Sequence, residues 1–298
     1  KYSTRTNSVE IYDLAGTWSP GPTLLEKRGQ GHSATLLTDG RVLIAGNELV
    51  AEVYDPFDGT WTLTGNMSKP RNFHASTLLN DGRVLVAGGT NADNRRELAA
   101  SEIFDPATGE WTPTGDLNYP TERPVMTVLG DGTVFLVGRD RGEVYDPQTG
   151  VWSEAGKPTE SRWGGSTVTL LNDGRVLVAG GEVLPGSQGN NLSQAASGQA
   201  THIKSLVPTA KTDYWDPEAR TFVAGPPMSE ARKFHTATVL PDGKILMIGN
   251  QATEMYDQSF GQWVPGPMLL IARTWGATTN LLSDGKVLVV GGVSGVKT

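Results

Sequence analysis

Cysteine is absent from the 298 residues of this sequence. That absence excludes a disulfide framework, a cysteine-ligated zinc or iron–sulfur site and a thiol nucleophile. It leaves the compartment open, because an oxidising one does not require disulfides. Long apolar runs are missing too, and without one of roughly 18 residues no membrane-spanning helix is expected. Charge is scarce, at 19% of residues, and apolar residues reach only 37%. The formal net charge of −7 and a pI near 5.2 argue against a nucleic-acid partner. The opening residues, KYSTRTNSVE, lack the charged-then-apolar order of a signal peptide. No Ser-His-Asp spacing, glycine-rich phosphate loop or calcium-loop motif stands out.

What fills the composition is glycine, 37 residues, with 18 prolines and many Thr, Ser and Asn. That profile suits short strands joined by tight turns, and its order is that of an internal repeat. Asp-Gly followed by an apolar run occurs at Asp39, Asp81, Asp131, Asp173, Asp242 and Asp284. A second element, an acidic residue followed by an aromatic-Asp pair and a turn into an aromatic, alternates with it. It has six copies, among them AEVYDPFDGTW, SEIFDPATGEW and the deviant TDYWDPEARTF. Each copy predicts four strands: a small, Thr-rich one such as HSATLL, an apolar one such as RVLIAG, then EVYD, then one beginning at the Trp. Asp-Gly between two such runs signals a hairpin with a type I′ turn. In DPxxG, Pro fixes φ and Gly takes the left-handed conformation.

Six copies of four antiparallel strands predict an all-β fold, a six-bladed β-propeller forming one domain over residues 1–298. The chain begins with a third and fourth strand (Val9 to Ser19) and ends with a first and second (Trp275 to Gly292). Pairing these halves in one blade closes the ring and leaves no apolar strand edge open. The small residues of the first strands suit the crowded axis. Trp18, Trp61, Trp111, Trp152, Phe222 and Trp263 are expected to form an outer packing ring.

The double glycines at 88–89, 180–181 and 291–292, with Tyr-Asp and then Trp after a variable loop, resemble the Kelch repeat. SEARKFHTATVLPDGKILMIG is most similar to the Kelch blades of the galactose oxidase-like group. The resemblance covers essentially the whole chain and implies the propeller fold. Galactose oxidase-like enzymes bind copper through a cysteine-modified tyrosine, a second tyrosine and two histidines. Without cysteine that cofactor does not carry over, so a copper radical oxidase is excluded and no cofactor is expected. Other Kelch propellers are protein-interaction modules, sugar epimerases or mutarotases, and hydrolases or lyases, and fold alone does not choose among them.

In such a blade the Asp-Gly and DPxxG turns lie on one face, and the remaining connections lie on the other, the top. The top carries the irregular segments 90–100 and the insert 182–211, and function is expected there. An Arg opens every first strand: Arg28, Arg71, Arg123, Arg162, Arg232 and Arg273. Guanidiniums around a propeller mouth can clamp carboxylates. Glu10, Glu52, Glu102, Glu143, Asp213 and Glu254 stand at the start of every third strand, however, and equal numbers favour internal ion pairs. Aromatics that break the repeat, Trp163, Trp275 and Tyr119, are the sharper candidates.

The candidate ligand-binding set is therefore Arg71, Arg162, Arg232, Arg273, Tyr119, Trp163 and Trp275. His32, His74 and His235 share one repeat position and are read as structural hydrogen-bonders rather than metal ligands. His202 falls in the insert. The expected function is ligand or protein binding by the top-face loops of a monomeric domain. Its partner would be an anionic small molecule, a glycan or an acidic peptide. A bacterial, extracellular or cell-surface location is expected from the composition. The alternative is a carbohydrate-active enzyme (mutarotase, epimerase, lyase or hydrolase) using Glu122, Glu160 and Glu230 as acid–base groups.

Overall fold

The computed structural model describes residues 5–12, 18–185, 206–249, 252–271, 277–282 and 284–291. Among these, no helix forms, and five four-stranded antiparallel sheets stand where five of the repeat copies lie. They span residues 33–66, 75–113, 125–154, 167–224 and 236–265, here sheets one to five. The four strands of each sheet lie side by side in chain order. The sixth copy appears as two halves, Glu10–Tyr12 paired with Trp18–Pro20 and Ala277–Leu281 paired with Val287–Gly291. By packing, the chain divides into two compact units, Lys1–Leu136 with Glu143–Glu154, and Val137–Gly142 with Ala155–Thr298.

The hairpins sit at the predicted Asp-Gly pairs, but the turn differs from the one expected. In sheet one the Gly40 N–H donates to the Leu37 carbonyl and the Leu37 N–H to the Arg41 carbonyl. Only Gly40 is left-handed, at φ 89°. This is a three-residue loop, a type I turn closed by a glycine bulge, instead of a two-residue type I′ turn. Asp39 explains the choice: its Oδ1 accepts the Arg41 N–H at 3.1 Å, which holds the third loop position in place. The same bond recurs at Asp81, Asp131, Asp173, Asp242 and Asp284. The DPxxG turns follow the prediction, and in TDYWDPEARTF Arg220 takes the glycine's left-handed place at φ 53°.

Second strands read as continuous apolar runs because both of their faces are covered. Val84 and Val86 of sheet two pack with Leu43, Ala45 and Val53 of sheet one. Leu85 and Ala87, on the opposite face, pack with Val134, Leu136 and Tyr145 of sheet three. In the second unit, Leu177, Ala179 and Tyr214 of sheet four meet Ile245, Met247 and Tyr256 of sheet five. First strands are joined sideways by hydroxyls, Thr35 to Ser76 and Thr238 to Thr279, each at 2.6 Å. Their small polar residues are therefore used as hydrogen-bonders as well as for their size.

The fourth-strand tryptophans pack on the third-strand aromatic of their own sheet. Ring centroids lie 5.0 Å apart for Tyr54–Trp61 and Tyr145–Trp152, and 5.1 Å for Phe104–Trp111. Each indole N–H also ties its sheet to a preceding segment: Trp61 to the Pro22 carbonyl, Trp111 to Thr64 and Trp152 to Ser101. Sheet four corrects the expectation for Phe222. There the pair is inverted, and Trp215, opposite Phe222 on the third strand, makes the tie to the Ala155 carbonyl at 2.9 Å. A phenyl ring has no N–H to donate, so the indole moves one strand over. The side chain of Trp18 lies outside the described residues.

Candidate functional site

Four arginines of the expected ring are internal. Arg28 meets Glu52 at 2.7 Å, Arg71 meets Glu102 at 2.5 Å, Arg162 meets Asp213 at 2.5 Å and Arg232 meets Glu254 at 3.0 Å. All eight side chains are buried. The guanidiniums also cap backbone oxygens. Arg71 donates to the carbonyls of Gly88 and Ala100, and Arg28 to those of Gly46 and Val50. The carboxylates in turn accept from the chain just before the arginine, as Glu102 does from the Ser68 N–H at 2.6 Å. Burial opposes the charge on Glu254, yet hydrogen bonds from Ser229 and Arg232 hold its carboxyl below the usual range. Arg71, Arg162 and Arg232 are thus buried and paired inside the fold.

Sheet three departs from this scheme. The Asn47 N–H donates to the Arg71 carbonyl and the Gly181 N–H to the Arg232 carbonyl; the matching bond runs from Gly89 to Thr121. Thr121, not Arg123, therefore holds the arginine position. Arg123 is the counterpart of Phe73 and Phe234: all three have positive φ, at 53°, 53° and 51°. The Arg123 N–H donates to the Phe73 carbonyl as the Phe73 N–H does to Gly31. Its guanidinium lies 4.6 Å from the Phe73 ring centroid, and it pairs with Glu122 at 3.3 Å. Glu143 is buried and accepts from the Asn118 N–H and Nδ2 and from the Tyr119 N–H. The Tyr119 hydroxyl donates to Glu154 at 2.7 Å.

The top of sheet four gathers the chemistry that the repeat does not explain. Trp163 is half-buried, its N–H donates to the Glu182 carbonyl, and the Glu182 N–H returns to Gly164. The Arg139 guanidinium lies 4.4 Å from the Trp163 ring centroid. The indole Nε1 is buried and has no hydrogen-bond partner among the described residues. Glu182 binds Lys233 at 2.7 Å, and Glu160 binds Lys211 at 3.0 Å and the Thr209 hydroxyl at 2.9 Å. The roots of the insert hold these segments together, since Glu182–Val183 pairs with Val207–Pro208. Arg139, Glu182, Lys211 and Lys233 had no signal in the sequence beyond their place on top-face connections. Arg273, Trp275 and His202 lie outside the described residues.

The histidines are ties between strands. His74 Nε2 lies 2.8 Å from the Ser33 hydroxyl and His235 Nε2 lies 3.1 Å from that of Thr167. Burial, then the nearby arginine, pushes each ring down to about 3, so both are neutral at ordinary pH. Glycines make the room: a Cβ on Gly46 would come within 2.8 Å of the His74 ring, and one on Gly180 within 2.7 Å of His235. His32, at the same repeat position, is exposed and bonds the Gly29 carbonyl. Among the described residues, no three His, Asp or Glu side chains cluster as metal ligands do. The proposed acid–base glutamates each face a cation: Glu122 faces Arg123, Glu160 faces Lys211, and Glu230 lies 3.5 Å from Arg232. A separate cavity of about 410 Å³ beside Asn47 is rimmed by Glu26, Glu48, Asp93 and Arg5.

No protein-family profile and no curated protein matches the sequence. Among solved structures, the chain is similar to a fungal alcohol oxidase of the AA5 family in complex with copper. The TM-score is 0.75 at 19% identity, over 98% of this chain and 64% of the oxidase chain. The chain thus spans less than two thirds of that neighbour's length. At this identity the likeness establishes the fold alone: an all-β arrangement of four-stranded sheets, consistent with the β-propeller-type fold of that galactose oxidase-like protein. The neighbour's copper does not fit the residues described here. There is no cysteine to modify a tyrosine, and the buried histidines give their Nε2 atoms to Ser33 and Thr167.

Proposed function

We propose that the chain is a Kelch-type, six-bladed propeller domain that binds an acidic carbohydrate at the top of sheet four. The observation that carries this reading is the Trp163 platform. A half-buried indole is held against a guanidinium, beside the Glu182–Lys233 and Glu160–Lys211 pairs. The exposed part of an indole ring offers an apolar surface for sugar C–H groups. Carboxylates and ammonium groups side by side can accept from and donate to neighbouring hydroxyls. The group carries three cations, Arg139, Lys211 and Lys233, against two carboxylates, Glu160 and Glu182. The cations gathered at this place suit an anionic sugar such as a uronic acid.

Closure of the ring belongs to the same proposal. The two halves of the sixth copy are complementary in register, a third-and-fourth pair and a first-and-second pair, and joining them pairs two open edges. Leu269 supports it. Met67, Leu117 and Met228, six residues after the fourth-strand aromatic, are only 2%, 4% and 3% exposed, whereas Leu269 in that place is half-buried. A completed sixth sheet would cover it as the others are covered. An extracellular or cell-surface location remains part of this reading.

The test is calorimetric titration with uronate-containing and neutral oligosaccharides of matched length. Uronate binding is expected, with a loss of about tenfold or more in Trp163→Ala and a smaller one in Lys233→Ala. Binding that ignores both substitutions would remove the site. Turnover of any of the sugars would replace binding by catalysis.

A further inference from the structure

We infer that sheet three holds a monovalent metal cation, sodium or potassium, in the place that an arginine guanidinium fills in four sister sheets. Five buried carboxylates, Glu52, Glu102, Glu143, Asp213 and Glu254, share one repeat position. Glu52, Glu102, Asp213 and Glu254 each accept hydrogen bonds from the segment before the arginine, and each then meets a guanidinium at 3.0 Å or less. Glu143 keeps the first half of this arrangement. Its Oε2 accepts from Asn118 at 2.8 and 2.7 Å, and its Oε1 accepts from Tyr119 at 3.3 Å. The second half is gone, because the arginine position is Thr121, as the Gly89-to-Thr121 hydrogen bond establishes.

The charge balance differs by one unit. Asn118 supplies an additional donor through Nδ2, but an amide brings no charge, and Glu143 is 2% exposed. A buried carboxylate without a counter-charge is costly, and a bound cation of charge one offsets that cost. The second observation is Thr121 itself, 7% exposed, whose hydroxyl has no hydrogen-bond partner among the described residues. A hydroxyl oxygen and a carboxylate are hard oxygen donors, the type that alkali and alkaline-earth cations take. In the sister sheets the guanidinium also caps backbone carbonyls, which is a further service an oxygen-seeking cation performs. The single negative charge favours the monovalent ion.

Thermal melting in sodium, potassium and choline chloride at equal ionic strength tests this. The wild-type chain is expected to melt several degrees higher in one alkali salt than in choline, with ²³Na line broadening if the ion is sodium. Thr121→Arg, which restores the sister arrangement, should abolish both effects while melting at least as high as wild type in choline. Should Thr121→Arg fail to fold, Glu143→Gln is the second variant, and it should also lose the salt difference and the line broadening. Equal melting of the wild type in all three salts with no line broadening overturns the inference, as does an alkali effect that survives either substitution. A response to calcium alone would overturn the assignment of a monovalent ion.

Discussion

Sheets two and three are built from successive copies of one repeat, yet they treat the same buried carboxylate differently. In sheet two Glu102 is neutralised by Arg71, which also covers two backbone oxygens. In sheet three Glu143 is met by an asparagine and backbone N–H groups. The arginine of that copy has moved two residues along the chain, to the position of Phe73, and lies on the surface over that ring. The same residue type, almost in the same place in the sequence, is an internal strut in one sheet and an outer contact in the next. Which role an arginine takes depends on the backbone register of the loop that carries it.

Substitutions at the two arginines should separate these roles. Arg71→Ala leaves Glu102 buried and unpaired, and should cost about 3–5 kcal/mol in denaturant unfolding. The pH profile should be nearly as large. His74 and His235 stay neutral in the fold down to about 3, whereas an unfolded histidine takes a proton near 6.5. Between those limits the unfolded chain binds more protons, so stability falls as pH drops from 6.5 towards 3 and is unaffected by these groups above 6.5. Over the whole window each ring accounts for on the order of 5 kcal/mol. Melting temperatures of His74→Gln across that window should show a shallower decline than wild type.

Smaller effects sharpen the contrast. Gly180→Ala places a Cβ within 2.6 Å of the Arg232 carbonyl at a φ of 59°, and a loss of about 2 kcal/mol is expected from chemical unfolding. Arg123→Ala removes only a half-exposed ring contact and an outer ion pair. It should cost about 1 kcal/mol or less, several-fold below Arg71→Ala in the same experiment. Arg83→Ala, which breaks the exposed pair with Asp81, should shift unfolding by less than about 0.5 kcal/mol and only at low salt. An Arg123→Ala loss equal to that of Arg71→Ala would erase the distinction between the two sheets.

Much of the scaffold was legible because its signals are local. Asp-Gly and DPxxG mark turns through φ and a short side-chain bond, and alternating apolar strands mark surfaces that must be covered. The pairing of repeated arginines with repeated acids was readable from their matching positions, and Arg71–Glu102 and Arg232–Glu254 follow it. The candidate site was less legible. Trp163 was marked by its break from the repeat, but Arg139, Lys211 and Lys233 come from separate connections, and nothing in their neighbouring residues announces one another.

By itself, the sequence determined the four-stranded repeat unit, the turn positions and the exclusion of thiol-based and disulfide chemistry, since these depend on residue type and short spacing. Tertiary structure decided that Thr121 and not Arg123 takes the backbone position of the buried arginines, and that Trp215 does the work of a fourth-strand tryptophan. It also decided that Arg139 covers Trp163. The physical reason is common to all three. Each of these neighbours comes from a different segment of the chain, and only contacts across the fold record which side chain each one meets.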